Sequence, residues 1–342
     1  MRYRSLRFGT RTLVLQFVLL LVAASSSAQF NPASPPVADP ADTRFRDVTE
    51  DWNSPSLSGT HLMPAQPLIA PFDDNDKYEV QLIQLQWRWG DPIDLYVTKP
   101  KGVKKPPVIL YLYGYPADTD RFKSPMWQEA ATKGGFAAVG FVSALTGHRY
   151  HDRPMKEWFL SELQECLADS AHDIQMILNY LESRGDLDMT RVGMFAHGSG
   201  ASIAILASAA DPRIRVVDTL DPWGDWPTWM AKSPFVPEEE RADLTKPEFL
   251  KKAAVLEPVD WLPKSQAAKF RMQDAIFDKI TPKESKEKLR AAVPKDASVV
   301  IYKTPAEFNE MVRNKTELDW IKLQVRFVPP LPATQTAAAA KP

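Results

Sequence analysis

The chain has 342 residues, 44% of them hydrophobic and 25% charged, with a formal net charge of −1. That composition belongs to a globular protein and excludes a long disordered chain or a basic nucleic-acid binder. The one cysteine, Cys166, excludes an internal disulfide, and a chain of this length buries enough core to fold without one.

Arg2, Arg4, Arg7 and Arg11 open the chain, Thr12 to Ala24 is nearly all apolar, and Ser26-Ser27-Ala28 supplies small residues before Gln29. These three parts predict a signal peptide over 1–28, cut near Ala28-Gln29, and hence a secreted or periplasmic protein. The apolar run is shorter than the roughly 20 residues of a membrane span, so no stable anchor is expected after cleavage. Removing the leader takes away four arginines and no acid, which moves the net charge from −1 to −5.

Residues 29–76 are rich in proline and polar residues, with His61 among them, and read as an extended lead-in. The domain is expected over 77–330. Tyr78 to Trp87 reads as a strand, Gly90-Asp91-Pro92 as a turn, and Ile93, Leu95 and Val97 alternate in a second strand. Val108 to Tyr113 and Phe136 to Val142 are continuous apolar runs, suited to strands covered on both faces. Glu157 to Ser183 carries a helical period, with His172 in its middle, ending near Arg184-Gly185. Val192 to Phe195, Ile214 to Leu220, Phe270 to Phe277 and Ser298 to Tyr302 are further strand candidates, and Glu317 to Val325 suits a closing helix.

Strands alternating with helices predict an α/β fold: a mainly parallel sheet of about eight strands with helices on both faces. Residues 222–268 break the rhythm with Trp223, Trp226, Trp229 and Trp261, and read as a small lid or side helices near the sheet's carboxyl edge. Residues 331–342 are expected to be a disordered tail.

Four phrases resemble the α/β-hydrolase superfamily, closest in flavour to exported esterases, peptidases and dienelactone-hydrolase-like enzymes. They are Val108 to Pro116 (VILYLYGYP), Met189 to Ala201 (MTRVGMFAHGSGA), Ala210 to Val217 (ADPRIRVV) and Phe277 to Pro282 (FDKITP). The resemblance implies a nucleophile elbow between a strand and a small-residue helix, then an acid, then a histidine. Small residues two before and two after the nucleophile fix its register. Ala196 and Gly200 satisfy that spacing around Gly198, whereas His197 is too large for a register centred on Ser199. The nucleophile position therefore holds glycine, and His197 stands as a packed neighbour behind it.

By the same resemblance, Asp278 takes the acid position, with Asp221 and Asp225 as alternatives. The loop Lys303 to Asn309, where a histidine would follow the last strand, offers only Glu307, and His197 is the last histidine of the chain. The oxyanion donors map to the backbone of Ser199 and of Gly114 or Tyr115. Trp223 and Trp226 are expected around the pocket.

The leading expectation is an exported hydrolase-fold protein that has lost its chemistry and binds a small molecule or peptide. Losing nucleophile or histidine each costs a serine hydrolase about 10⁶ in turnover. An oxyanion hole alone leaves roughly 10³–10⁴ over water. A second reading is an active esterase or peptidase with Ser199 as nucleophile and His148 or His151 as base. A third is a structural envelope protein. No zinc spacing, P-loop or dinucleotide fingerprint appears, so no metal or cofactor is expected.

Overall fold

Strands and helices alternate from Leu68 to Phe327 in this computed structural model, which describes residues 50–57, 64–88, 91–114, 120–144, 162–314 and 316–331. In chain order these are β1 (Leu68–Asp74), β2 (Tyr78–Arg88), β3 (Asp91–Pro100), β4 (Pro107–Leu112), α1 (Asp120–Lys123), α2 (Pro125–Thr132), β5 (Ala137–Phe141), α3 (Leu163–Arg184), β6 (Asp188–His197), α4 (Ser199–Ala210) and β7 (Ile214–Leu220). Side helices α5 (Trp226–Lys232), α6 (Glu238–Leu244), α7 (Pro247–Ala253) and α8 (Pro258–Trp261) follow. Then come β8 (Lys269–Ala275), α9 (Lys283–Ala292), β9 (Ser298–Tyr302), α10 (Pro305–Arg313) and α11 (Asp319–Phe327).

The nine strands form one sheet in the order β1-β2-β3-β5-β4-β6-β7-β8-β9. β4 to β9 pair in parallel, and β1, β2 and β3 add antiparallel strands at one edge. The chain runs from β4 outward to β5, then returns to lay β6 on the other side of β4. The gap between β4 and β6 is therefore the topological switch point, where ligands bind in open α/β sheets.

Apolar strands and one-sided helices account for the layers. β5 is buried throughout and β4 from Val108 onward, consistent with cover on both faces. α3, α4 and the side helices close one face, around Leu110, Met194, Ile203 and Trp229. α2 and α11 close the other, around Tyr111, Phe195, Trp127 and Ile321. α4 is apolar nearly all round and buried over Ser199 to Ser208, as a helix sandwiched between layers must be. Among the described residues, no helix is long and apolar enough to cross a membrane.

Some expectations shift. Leu68–Asp74, inside the segment read as a lead-in, is an edge strand paired with β2. Of the expected turn Gly90-Asp91-Pro92, Asp91 and Pro92 belong to β3, opposite Arg88 and Gln86, and Gly90 lies outside the described residues. The described residues form nine strands where about eight were expected, because β1 was missed.

Residues 50–57 also dock. The Trp52 indole Nε1 donates to Asp169 Oδ1 (3.1 Å), Gln164 Nε2 donates to the Trp52 carbonyl (3.0 Å), and the Leu57 N–H donates to Gln175 Oε1 (2.7 Å). His172, buried in α3, reaches the Ser54 carbonyl through Nε2 (2.9 Å) and Glu50 through Nδ1 (2.8 Å). Arg88 ties this strap to the sheet, meeting Glu50 at 2.7 Å and Asp173 at 2.7 Å. Burial alone would raise the Glu50 pKa. Hydrogen bonds from Arg88 and His172 outweigh it and pull the group down to about 2.

Candidate active site

β6 ends on Ala196 and His197, and the chain turns at Gly198 straight into α4. Gly198 has φ 59° and ψ −125°, a backbone state that costs a residue with a side chain on the order of 1–3 kcal/mol. Its N–H donates to the Leu220 carbonyl of β7 (2.9 Å), which fixes the tip of the turn. A Cβ built at 198 would lie 3.4 Å from Trp223 Nε1 and 3.7 Å from Gly114 Cα, ordinary contact distances. There is room for a side chain here, and the residue has none.

The neighbouring positions are tighter. A Cβ at Gly200 would sit 2.5 Å from the Leu112 carbonyl oxygen, and one at Gly114 2.8 Å from the His197 carbonyl oxygen and 3.1 Å from Ser199 N. The exit of β4 is thus pressed against the start of α4, bringing Gly114 and the Ser199 N–H together at the switch point. Ser199 itself is the first residue of α4 and only 2% exposed. Tyr115, His148, His151 and His61 lie outside the described residues.

Asp278 follows β8 and turns its carboxylate inward on its own loop. Its Oδ1 accepts from the Ile280 N–H (3.2 Å) and its Oδ2 from the Thr281 N–H (3.3 Å). Lys286 Nζ stands 3.5 Å from Oδ2. This lysine, 5% exposed, bonds Asp274 Oδ1 (2.8 Å), Asp221 Oδ1 (3.1 Å) and the Ala275 carbonyl (2.9 Å), while Arg290 holds the other oxygen of Asp274. Asp221 also accepts from the Ala275 N–H (2.7 Å) and carries φ 47°. Asp225, at φ 57°, precedes α5 and bonds Lys288 (2.7 Å) and Ser285 (3.3 Å). All three aspartates considered as acids hold structural partners.

Burial pushes the Asp221 carboxyl up to about 6, against the pull of Lys286. The sign follows from linkage: the native state keeps this proton after the unfolded chain has lost it, so its contribution is full below about pH 4 and is lost as pH rises through about 6. Asparagine tolerates positive φ and stays neutral. Asp221→Asn is expected to match the parent near pH 4 and to exceed it by about 2–3 kcal/mol at pH 7 in urea unfolding. An unchanged difference across that range would disprove the assignment.

The segment after β9 was expected as a loop and is a helix. Thr304 caps α10: its Oγ1 accepts from the Glu307 N–H (3.3 Å), and Glu307 Oε2 accepts from the Lys303 N–H (2.7 Å). Thr304-Pro305-Ala306-Glu307 has the sequence of a capping box with proline in the first turn, its Glu307 reaching one residue further back, to the N–H of Lys303. Glu307 is spent on this cap.

His197 leaves β6 partly buried, on the face of the sheet shared by Phe195. Burial lowers its pKa below the usual value, with Arg121 and Lys286 lowering it further and Asp278 opposing them. Trp223 meets Gly198 directly. Trp226 stands behind Trp229, its indole donating to the Leu256 carbonyl (3.3 Å), as part of the side-helix core. The sequence reading did not single out Lys286, Arg121 or Glu317, which the fold brings to this edge.

Among the described residues, Glu50, Asp169 and His172 present metal-ligating atoms to one another. The Arg88 guanidinium already lies 2.7 Å from Glu50 and 3.4 Å from Asp169, and both His172 ring nitrogens are engaged. A cation is in place there, so the donor set does not suit a metal ion.

No family model and no curated protein matches the chain. Solved structures do. An acetyl xylan esterase from Paenibacillus sp. R4 superposes with a TM-score of 0.54 at 14% identity, over 74% of this chain and 89% of that one. An acetyl xylan esterase from Thermoanaerobacterium sp. gives 0.54 at 14%, over 74% and 87%. The acylaminoacyl peptidase of Pyrococcus horikoshii gives 0.55 at 14%, over 80% of this chain and 44% of that one. These are α/β-hydrolases, and this chain has the α/β-hydrolase fold.

Proposed function

We propose that this chain is an exported α/β-hydrolase-fold protein whose serine-hydrolase chemistry is lost and whose elbow pocket is kept to bind a small molecule or peptide. The observation that carries the reading is Gly198, at the tip of the elbow in the strained backbone state of a nucleophile, with contact room for the absent side chain. The second support is α10, whose capping box occupies the segment from which a histidine would come. The leader from Arg2 to Ala28 supports export. Gly114 and the Ser199 N–H support a retained oxyanion-type cradle, because backbone donors need no particular side chain.

Fluorophosphonate probes and p-nitrophenyl esters test the loss. The parent chain is expected to remain unlabelled and inert. Gly198→Ser is expected to fold, to lose about 1–3 kcal/mol of stability from the forced backbone state, and to remain unreactive, since absence of the base alone costs about 10⁶. Strong labelling of the parent that disappears in Ser199→Ala would overturn the reading in favour of an active hydrolase using Ser199. The absence of any ligand response in a thermal-shift panel would overturn pocket binding in favour of a structural role.

A further inference from the structure

Lys322 of α11 is half-buried, and its amine meets a neutral partner: Nζ donates to the Ala130 carbonyl of α2. Other lysines with polar partners hold carboxylates. Lys99 holds Asp186, Lys101 Asp74, Lys232 Glu284, Lys286 Asp274 and Lys288 Asp225. Among the described residues no carboxylate pairs with Lys322. One bond to a carbonyl leaves this nitrogen with capacity to spare.

Lys322 also lines a cleft of about 620 Å³, whose walls come from α2, α11 and the link between α10 and α11. The volume suits a small molecule. Met126 and Leu318 give the cleft apolar wall, and Lys133, Asn314 and Asp319 give it polar wall. Glu129 lines it too, but its carboxylate is held by Lys77 at 2.7 Å. The cleft shares no lining residue with the turn at Gly198. Burial pulls the Lys322 pKa down to about 8, with Lys133 adding to the fall and Asp319 opposing it. A lysine that is desolvated and set beside a second cation is the kind that attacks carbonyl carbon, because its lone pair is free near neutral pH.

We propose that Lys322 is an imine-forming amine and that its cleft takes a small 2-oxo acid, with the carboxylate on Lys133 and Asn314 and the alkyl end against Met126 and Leu318. An ammonium and an amide N–H are donors suited to a carboxylate. The neutral amine adds its lone pair to the keto carbon, which forms the C–N bond and a carbinolamine. The C–O bond then breaks. The former keto oxygen leaves as water with the two protons of the amine, and a C=N bond remains. Asp319, one turn before Lys322 on α11 and on the same cleft, moves those protons from nitrogen to the leaving oxygen. No oxidant or reductant is consumed.

The full chain is to be incubated at pH 7 with pyruvate or with 2-butanone, each with cyanoborohydride, which reduces an imine to a stable secondary amine. Peptide mass mapping then locates the adduct. Pyruvate is expected to mark Lys322 about tenfold or more above any other lysine and to saturate. Butanone is expected to mark it more weakly and without saturation. Lys322→Arg keeps a cation within reach of Ala130 and is expected to lose the adduct. Asn314→Ala, at an exposed position, is expected to raise the half-saturating pyruvate concentration about fivefold or more and to leave butanone labelling unchanged. Label spread over the exposed lysines of the parent chain would overturn the imine site. Equal labelling of Lys322 by the two ketones, or a pyruvate response indifferent to Asn314→Ala, would overturn the ligand class.

Discussion

Lys286→Met is expected to cost about 3–5 kcal/mol, because it strands buried aspartates without their shared ammonium. The side chain is 5% exposed and meets Asp221, Asp274 and Asp278 within 3.5 Å. Burial works against the charge of Lys286, but the three carboxylates together raise its pKa. Methionine keeps much of the aliphatic volume, so the loss reports charge rather than a cavity. Urea unfolding at pH 7 is the measurement, and a Tm fall on the order of 10 °C should accompany it. Adding Asp221→Asn should recover part of the deficit, since the two residues touch and their effects cannot be additive. A loss under about 1 kcal/mol would mean that water, not Lys286, carries these carboxylates.

Arg88→Met is the second large effect, also about 3–5 kcal/mol. Its guanidinium is enclosed by Glu50, Asp91, Asp169 and Asp173. Burial opposes its charge, and Asp173, Glu50 and Asp169 overcome it, raising the pKa well above the usual value. The variant should also loosen the strap, and amide exchange at Leu57, whose N–H bonds Gln175, reads that directly. The pH dependence has a definite sign. Glu50 is held down to about 2, so its share of stability is present above about 4.5 and lost as pH falls through 2. The gap between parent and variant should narrow over that range; a gap that widens towards acid would contradict the arrangement.

What the sequence made legible depended on how local the cause was. Val108 to Tyr113 reads as a buried strand because every residue is apolar, and β4 is buried almost end to end. The spacing of Ala196, Gly198 and Gly200 reads as a turn pressed between layers, and the 2.5 Å from a Gly200 Cβ to Leu112 gives the reason. β1 was missed because Leu68 to Asp74 is exposed at nearly every position and carries Pro71, Asp73 and Asp74, features of an edge rather than of a core strand. α10 was missed although its capping box is local: the resemblance led to the expectation of a loop there.

The site's charged members were hidden for a different reason. Lys286 stands in Lys283-Glu284-Ser285-Lys286-Glu287-Lys288, which reads as a solvated helix face, yet Ser285 and Lys286 are buried. Arg121 sits in a one-turn helix, and Glu317 in a short link between helices. Neither has a period or motif. Only the packing of α1 and of the α10–α11 link against the sheet face that carries Tyr113 and Phe195 brings them to this edge.

The helix that begins at Pro305 bears on the history of the chain. Under the reading proposed above, an oxygen at position 198 is a single substitution away, and its space is still open. An imidazole is not, because the backbone that would have to present it is wound into a capped turn with Thr304 and Glu307 bonded across it. Regaining one partner gives selection nothing to act on without the other, so the descent of such a lineage runs one way, and its later changes answer to binding alone.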